Sequence, residues 1–229
     1  MSDDQRMRPL RHGYTNRTVG DGAVVEKTYE GPGAGLRLRR EHAVLTRLRG
    51  RLPVPPVQGT TEAVLTLGFV NGVPGQELLA AGRPEAVLAS CGELLRRIHG
   101  TAPGVLPDDT PGAEKVLVHG DFGPQNVLLE PRTFEVTAVV DWEFAHLGDP
   151  VEDLAWCEWI VRTHHPEHRT ALGHFFRAYG GKVPPWPVRR AAMLSRCETL
   201  RRFCDRWEPN GPGARSWQGR AAATADWQE

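Results

Sequence analysis

His119–Asn126, with the sequence HGDFGPQN, is followed along the chain by Val139–Glu143, with the sequence VVDWE. The first segment places an asparagine five residues after Asp121, and the second places Asp141 at the end of an apolar run. Magnesium prefers carboxylate and amide oxygens, usually one or two from the protein, with phosphates and waters completing its shell. Phosphoryl transfer needs that cation and a residue that orients the attacking hydroxyl. The two segments therefore predict a phosphoryl-transfer site, and the apolar runs beside them disfavour the alternative of a loop of solvated carboxylates.

A third segment, Gly148–Ala155, has the sequence GDPVEDLA. Taken in order, H-G-D-x-x-x-x-N, D-W-E and G-D-P-x-x-D-L-A resemble the aminoglycoside phosphotransferase family, the bacterial small-molecule branch of the protein-kinase-like fold. The resemblance covers roughly residues 116–157 and implies an α+β, protein-kinase-like two-lobe fold. In such a fold, a small β-rich N-terminal lobe precedes a larger, mainly helical C-terminal lobe.

The resemblance also assigns roles to the residues that match its motifs. It implies that Asp121 is the catalytic aspartate and that His119 braces the catalytic loop. Asn126 and Asp141 are implied to bind Mg²⁺. The aspartates of the third segment are implied to act structurally, through loop hydrogen bonds and a helix start.

The N-terminal part of the sequence contains a lysine and a glutamate in the order that kinases use. Lys27 ends an alternating strand pattern, and Glu41 lies in the predicted helix that follows. In kinases, a strand lysine contacts the α- and β-phosphates and is held by a helix glutamate. We therefore expect both residues to bind nucleotide, although an exposed lysine and a solvated glutamate would fit the same pattern.

Two further segments are predicted to contact the nucleotide. His12–Asn16, which contains Thr15 and Asn16, is the expected phosphate-covering loop, although it has only one glycine. By analogy with a kinase hinge, backbone groups near Gly68 and Val70 are expected to meet the base. No side chain there distinguishes ATP from GTP as the donor.

The coarse organisation follows from turns and periodicity. Residues 1–70 are predicted to form the nucleotide-binding lobe and residues 71–229 the catalytic and acceptor-binding lobe, with a hinge near residues 68–75. A hairpin is expected around Gly20–Gly22, and a flexible segment at Asn71–Gly75. The apolar spacing predicts helices over Leu36–Arg49, from Pro84 to Gly100, and over Val151–Arg162, Glu167–Tyr179 and Val188–Trp207.

The acceptor is expected to be a small hydroxyl compound rather than a protein. Only Trp142–Gly148 separates Asp141 from the next aspartate, whereas protein kinases need a longer segment there to dock a polypeptide. Aminoglycosides are polycations and favour clustered carboxylates, yet residues 151–229 contain nine acidic and twelve basic residues. The candidate acceptor-binding residues are Glu158, Asp205, Glu208 and Trp156.

Bulk properties limit the remaining classes. The formal net charge is zero, which gives no general attraction to nucleic acid or membrane. Neither a membrane span nor a signal peptide is recognisable, and four irregularly spaced cysteines favour reduced, buried thiols. These features predict a cytoplasmic protein and leave its oligomeric state open. His164, His165 and His168 are expected to form an exposed loop rather than a metal site.

Three functions remain open from the sequence. The first is an O-phosphotransferase that acts on an antibiotic-like acceptor, including aminoglycoside resistance. The second is a metabolite kinase of the choline, homoserine, thiamine or sugar type, since related families share the catalytic residues. The third is a nucleotide-binding pseudokinase, which the presence of Lys27, Asp121, Asn126 and Asp141 disfavours.

Overall fold

The computed structural model describes residues 7–10, 16–101, 106 and 115–229. Five strands build the N-terminal lobe: β1 (Arg8–Pro9), β2 (Asn16–Gly20), β3 (Val24–Tyr29), β4 (Val57–Thr60) and β5 (Val64–Gly68). They pair antiparallel in the order β1-β2-β3-β5-β4. The carboxylate of Asp21 holds the predicted hairpin turn, because it accepts hydrogen bonds from the backbone N–H groups of Ala23 and Val24, each at 2.8 Å.

Helix α1 (Ala34–Leu48) packs against β3, β4 and β5. Its buried apolar stripe includes Leu38, Val44 and Leu45, which recur at helical spacing and cover one side of the sheet. The prolines that begin at Pro53 cannot continue a helix, so the chain turns into β4. The sheet and α1 place the Lys27 strand and the Glu41 helix side by side.

The described part of the C-terminal lobe contains five short strands: β6 (Val73–Pro74), β7 (Val116–Val118), β8 (Val127–Leu129), β9 (Val136–Val139) and β10 (His146–Gly148). β6, β8 and β9 form one sheet, and β7 pairs with β10. Val127 pairs with Val139, and the N–H of Val140 donates to the carbonyl of Asn126 at 2.9 Å. This hairpin brings Asn126 and Asp141 to the same end of the sheet.

Six helices complete this lobe: α2 (Gly75–Ala80), α3 (Pro84–His99), α4 (Val151–His164), α5 (Leu172–Tyr179), α6 (Trp186–Trp207) and α7 (Pro212–Ala225). Every residue of Asp153–Val161 is buried, so α4 is the central helix. It separates the main core from a second cluster in which Trp156 and Trp159 pack against α6 and α7.

The α+β, two-lobe prediction is confirmed, and the predicted helices lie close to their expected bounds. The position of the lobe boundary at residue 70 stays a prediction. The sequence analysis did not predict the short strands β1, β4, β6, β8 and β10 or the helices α2 and α7. The flexible segment expected at Asn71–Gly75 was wrong in part, because β6 occupies Val73–Pro74 and α2 begins at Gly75. The helix predicted from Glu167 begins only at Leu172, after a 3₁₀ segment over Pro166–Ala171.

All four cysteines are free; Cys91, Cys157 and Cys197 are buried, and Cys204 is half-buried. Burial raises the pKa of the Cys91 thiol to about 12, so this thiol stays protonated at neutral pH. Among the helices of the described ranges, none combines the length and the apolar character that a membrane crossing requires.

Candidate active site

Asp153 of α4 fixes the backbone of the candidate catalytic loop, His119–Asn126. Its Oδ2 accepts the backbone N–H of His119 at 2.7 Å, and its Oδ1 accepts that of Gly120 at 2.9 Å. His99 Nε2 also lies 3.2 Å from Oδ2. Burial raises the pKa of Asp153, but these hydrogen bonds and the neighbouring imidazoles outweigh it and hold the pKa below its ordinary value. The carboxylate therefore stays ionised and fixes the loop backbone.

His119 braces the loop by its ring. Nε2 lies 3.0 Å from the carbonyl oxygen of Val140 and donates to it, while Nδ1 accepts the N–H of Asp121 at 3.2 Å. The ring is fully buried against Phe122 and Trp142. His119 thus connects the catalytic loop to the segment that carries Asp141.

Gly120 makes the turn into Asp121. Its φ is +82°, and a Cβ at this position would lie 2.5 Å from the carbonyl oxygen of Phe144. Residues with a side chain rarely adopt this conformation, and the close approach leaves no space for one. The glycine between His119 and Asp121 is therefore a steric requirement of the loop.

The carboxylate of Asp121 is oriented by two donors. Trp156 Nε1 donates to Oδ1 at 2.8 Å, and Asn126 Nδ2 donates to Oδ2 at 3.0 Å. Burial raises the pKa of Asp121 above its ordinary value, although Arg196 nearby acts in the opposite direction. A carboxylate that is fixed in position and has a raised pKa is suited to accept a proton from a hydroxyl.

Lys27, Glu41 and Asp141 meet at the junction of the lobes. Lys27 Nζ lies 2.7 Å from Glu41 Oε2 and 2.5 Å from Asp141 Oδ1. Tyr29 also donates to Glu41, as does the backbone N–H of Trp142 at 3.2 Å. Burial raises the pKa of Asp141, but Lys27 outweighs burial and lowers it. The structure therefore brings the predicted strand lysine and helix glutamate into one buried ion-pair network.

A second ion pair also crosses between the lobes. Arg37 of α1 pairs with Glu143, whose Oε2 also accepts Asn16 Nδ2 at 2.8 Å. All three residues are buried, and Glu143 Oε1 has no hydrogen-bond partner among the described residues. Arg37 was not predicted from the sequence, and Glu143 was indicated only as part of the D-W-E segment.

A cavity of about 340 Å³ opens between the lobes. It is lined by the predicted nucleotide-binding residues Lys27, Glu41, Asn16, Gly68 and Val70, and by Asn126 and Asp141. Thr15 lies outside the described residues. Apolar side chains, including Val25 and Leu67, cover much of the wall, as expected where a flat base is bound.

The cleft contains carboxylate and amide oxygen atoms that are suitable ligands for Mg²⁺. The Oδ1 atom of Asn126 has no hydrogen-bond partner in the part of the chain that the structure describes, and Asp141 lies at the same end of the hairpin. In addition, carboxylate oxygens of Glu41, Asp141 and Glu143 lie within 4.8 Å of one another. Within the described ranges, the three histidines near residue 165 belong to no such group.

The model of the phosphotransferase enzyme family (APH) matches residues 6–114 and 106–192, which is most of this sequence. The chain belongs to this family. Viomycin phosphotransferase of Streptomyces vinaceus is 45% identical over 53 residues, which are 21% of this chain and 17% of that protein.

Two solved structures share the fold of this phosphotransferase. Macrolide 2'-phosphotransferase MphH of Brachybacterium faecium has a TM-score of 0.62 at 19% identity, covering 99% of this chain and 94% of the other. A gentamicin complex of APH(2")-IIa has a TM-score of 0.70 at 14% identity, covering 97% and 92%. Mouse acyl-CoA dehydrogenase family member 10 is 52% identical over 40 residues, 18% of this chain but only 4% of that protein.

The candidate acceptor-binding residues of the phosphotransferase do not converge. Trp156 is buried, donates to Asp121 and stacks on Trp159 with ring centroids 4.5 Å apart. Glu158 is buried between Arg162 and Arg189, at 2.8 and 2.7 Å. Asp205 accepts a backbone N–H near the end of α6, and Glu208 is exposed. Their roles in acceptor binding stay predictions.

Proposed function

We propose that this phosphotransferase moves the γ-phosphoryl group of ATP or GTP to a hydroxyl of a small, antibiotic-like acceptor. One observation carries the proposal: the hydrogen bond between Asn126 and Asp121 joins the fixed carboxylate to the cleft where Lys27 meets Asp141. A general base and cation-binding groups thereby lie in one site. The printed names of the relatives, which include viomycin, macrolide and gentamicin, support the antibiotic class.

The chain's own residues account for most of the chemistry. Lys27, held by Glu41, binds phosphate oxygens, and the apolar wall near Gly68 receives the base. The acceptor oxygen forms a bond to the γ-phosphorus while the bond from phosphorus to the β–γ bridging oxygen breaks. The hydroxyl proton passes to Asp121, and the nucleoside diphosphate leaves. Asn126 and Asp141 would hold Mg²⁺, which would neutralise part of the phosphate charge.

A metabolite kinase is the second candidate, and the charge near the catalytic aspartate favours it. Arg196 lies close enough to Asp121 to lower the pKa of that carboxyl. A cation beside the catalytic base is unfavourable for a polycationic aminoglycoside. A pseudokinase is disfavoured, because Lys27, Asp121, Asn126 and Asp141 are all present. Lys27 pairs with Asp141, and Asn126 donates a hydrogen bond to Asp121.

The remaining parts of the proposal concern the whole protein. Residues 1–70 and 71–229 are the two functional lobes, with the acceptor bound by the second. The acceptor is a small molecule rather than nucleic acid or membrane, in keeping with the zero net charge. A cytoplasmic location is supported by the four free cysteines.

An acceptor screen tests the proposal. Purified protein with Mg·ATP or Mg·GTP is incubated with aminoglycosides, other hydroxylated antibiotics, choline, homoserine, thiamine and sugars, and products are detected by mass spectrometry. We expect a phosphate adduct that is absent with Asp121→Asn. Asp121→Asn should retain nucleotide affinity, whereas Asp141→Ala should lose Mg²⁺-dependent nucleotide binding. Near wild-type turnover by Asp121→Asn would show that another residue is the base.

A further inference from the structure

A second cavity, of about 450 Å³, shares none of its described lining residues with the nucleotide cleft. One wall is formed by Gly120, His146 and Glu152, and the other by Ser195, Arg196 and Thr199 of α6. Gly120 immediately precedes Asp121, so the cavity adjoins the catalytic aspartate. The position suits the acceptor, which must reach Asp121 without occupying the nucleotide cleft.

Arg196 lines this cavity, and two nitrogen atoms of its guanidinium group are unpaired within the described ranges. Its Nε and Nη2 atoms are buried and have no hydrogen-bond partner among the residues that the structure describes. Its Cζ lies 4.9 Å from the ring centroid of Phe144 and 5.7 Å from that of Trp156. These rings hold the cation in place but satisfy none of its N–H groups. A buried cation without a hydrogen-bonding anion is costly, so a ligand that supplies one is favoured.

The neighbouring carboxylates do not supply that partner. Glu152 Oε2 lies 2.9 Å from His146 Nε2, and its Oε1 accepts the N–H of Asp149 at 2.9 Å. Asp121 accepts its hydrogen bonds from Trp156 and Asn126, and no ion pair joins it to Arg196 in the described part of the chain. Burial lowers the pKa of Arg196, although the carboxylates of Asp121, Asp153, Glu152 and Glu143 act in the opposite direction.

Arg189, on the same helix, is a buried arginine whose donors are paired with carboxylates. Its Nε pairs with Glu158 at 2.7 Å and its Nη2 with Glu229 at 2.8 Å. Arg196 has no such carboxylate. Within one helix, Arg189 is therefore paired with carboxylates, whereas Arg196 lines a cavity and has donors that are unpaired among the described residues.

We propose that Arg196 binds an anionic group, a carboxylate or a phosphate, on the same molecule that presents its hydroxyl to Asp121. The planar guanidinium matches such an oxyanion with two parallel hydrogen bonds. Because Trp156 contacts both Arg196 and Asp121, an anion held at Arg196 brings the rest of its molecule to the catalytic carboxylate. This inference rests on the proposed phosphotransferase function and narrows its acceptor to hydroxylated anions, against polycations.

The test compares matched acceptors that differ only in the anionic group. The probes are gluconate against glucitol, pantothenate against panthenol, and glycerol 3-phosphate against glycerol, with kanamycin as the polycation. Each is titrated calorimetrically into the full chain saturated with Mg²⁺ and a non-hydrolysable ATP analogue. We expect at least one anionic member to bind about tenfold or more tightly than its neutral counterpart, the effect of a charge-assisted hydrogen bond.

Variants of two arginines on α6 separate the proposal from simpler roles. Arg196→Gln should remove the preference for the anionic member, and Arg196→Lys should keep part of it, because the charge remains while the planar fork is lost. Arg202→Gln is the matched control: this arginine is exposed and pairs with Glu198. It should keep the full preference. If Arg196 only tuned Asp121, Arg196→Gln would slow turnover of charged and neutral acceptors equally and leave the preference intact.

The outcomes distinguish this inference from the function on which it rests. Equal binding of each pair, binding by no anionic member, tighter binding of kanamycin, or an undiminished preference in Arg196→Gln would each overturn the anionic acceptor. If nucleotide binding still required Mg²⁺ and Asp141, the phosphotransferase proposal would survive that result. If the wild-type chain showed no Mg²⁺-dependent nucleotide binding, both the anionic acceptor and the phosphotransferase function would be overturned.

Discussion

The indole nitrogen of Trp156 donates to Oδ1 of Asp121 at 2.8 Å, and this bond ties the central helix α4 to the catalytic loop. Asn126 donates to the other oxygen of the same carboxylate at 3.0 Å. The two donors leave Asp121 with one orientation in a buried setting. A base that must meet an incoming hydroxyl at hydrogen-bonding distance benefits from this restriction, because no reorientation is needed during the reaction.

Trp156→Phe should lower kcat about tenfold or more, because it removes a donor to a charged group while keeping most of the ring packing. Nucleotide affinity should be unchanged, since the indole does not line the nucleotide cleft. Trp159→Phe is the matched control, because Trp159 stacks on Trp156 but donates to Thr224 at 2.9 Å. Steady-state kinetics of both variants measures the effect; equal losses would point to ring packing as the cause.

Lys27→Met should weaken Mg·nucleotide binding about tenfold or more, because it removes the cation between Glu41 and Asp141. It also leaves two buried carboxylates without their partner, so the melting temperature should fall. Lys182→Met changes an exposed lysine and should alter neither property. Fluorescence titration with a nucleotide analogue, together with thermal unfolding, checks both effects. Unchanged affinity in Lys27→Met would remove this lysine from the nucleotide site.

Gly120→Ala should reduce both stability and turnover. The left-handed φ costs a residue with a side chain about 1–2 kcal/mol, and the new methyl group would also collide with the carbonyl of Phe144. Gly22→Ala provides the comparison, because Gly22 has a similar φ of +90° but open space around it. We expect Gly22→Ala to lose some stability and no activity. Chemical denaturation measures the loss of stability in both variants, and turnover measures the loss of activity. A loss of activity in Gly120→Ala alone would indicate displacement of the catalytic loop rather than backbone strain.

Asp153→Asn should lower the free energy of unfolding by about 3 kcal/mol at neutral pH, since two charge-assisted hydrogen bonds to backbone N–H groups are lost. The pKa of Asp153 is lower in the folded protein than in the unfolded chain. Its contribution is therefore fully present above about pH 4, the ordinary aspartate value, and is lost as the pH falls through the folded-state pKa. The difference in free energy of unfolding between wild type and Asp153→Asn should become smaller on acidification, as measured by denaturation at several pH values. A difference that increased would contradict the lowered pKa of Asp153.

Local patterns in the sequence predicted the parts of the fold that rest on local chemistry. The apolar spacing of α3 and the turn at Asp21 both appear where expected, since periodicity and turn residues act over a few positions. Helix α7 was missed because its sequence, PGARSWQGRAAATA, contains small and polar residues and no apolar stripe. Its stability comes from packing on α6.

The residues of the candidate site were likewise predictable only where local sequence patterns determine their positions. Asp121, Asn126 and Asp141 were predicted from motifs, because their spacing along one hairpin determines where they meet. Arg37 and Glu143 are 106 positions apart, and no local pattern reports such a pair. Arg196 belongs to a helix with several arginines, and only the packing of α6 shows which of them lines a cavity together with Gly120.

The ion pair between Arg37 and Glu143 has a consequence for the history of the sequence. Each residue is buried, so replacing one alone leaves an uncompensated charge in the interior, at a cost of about 3–5 kcal/mol. Much of a typical domain's stability would be lost in that single step. Across homologous chains, we therefore expect these two positions to vary together, with paired apolar residues replacing paired charges and mixed combinations being rare.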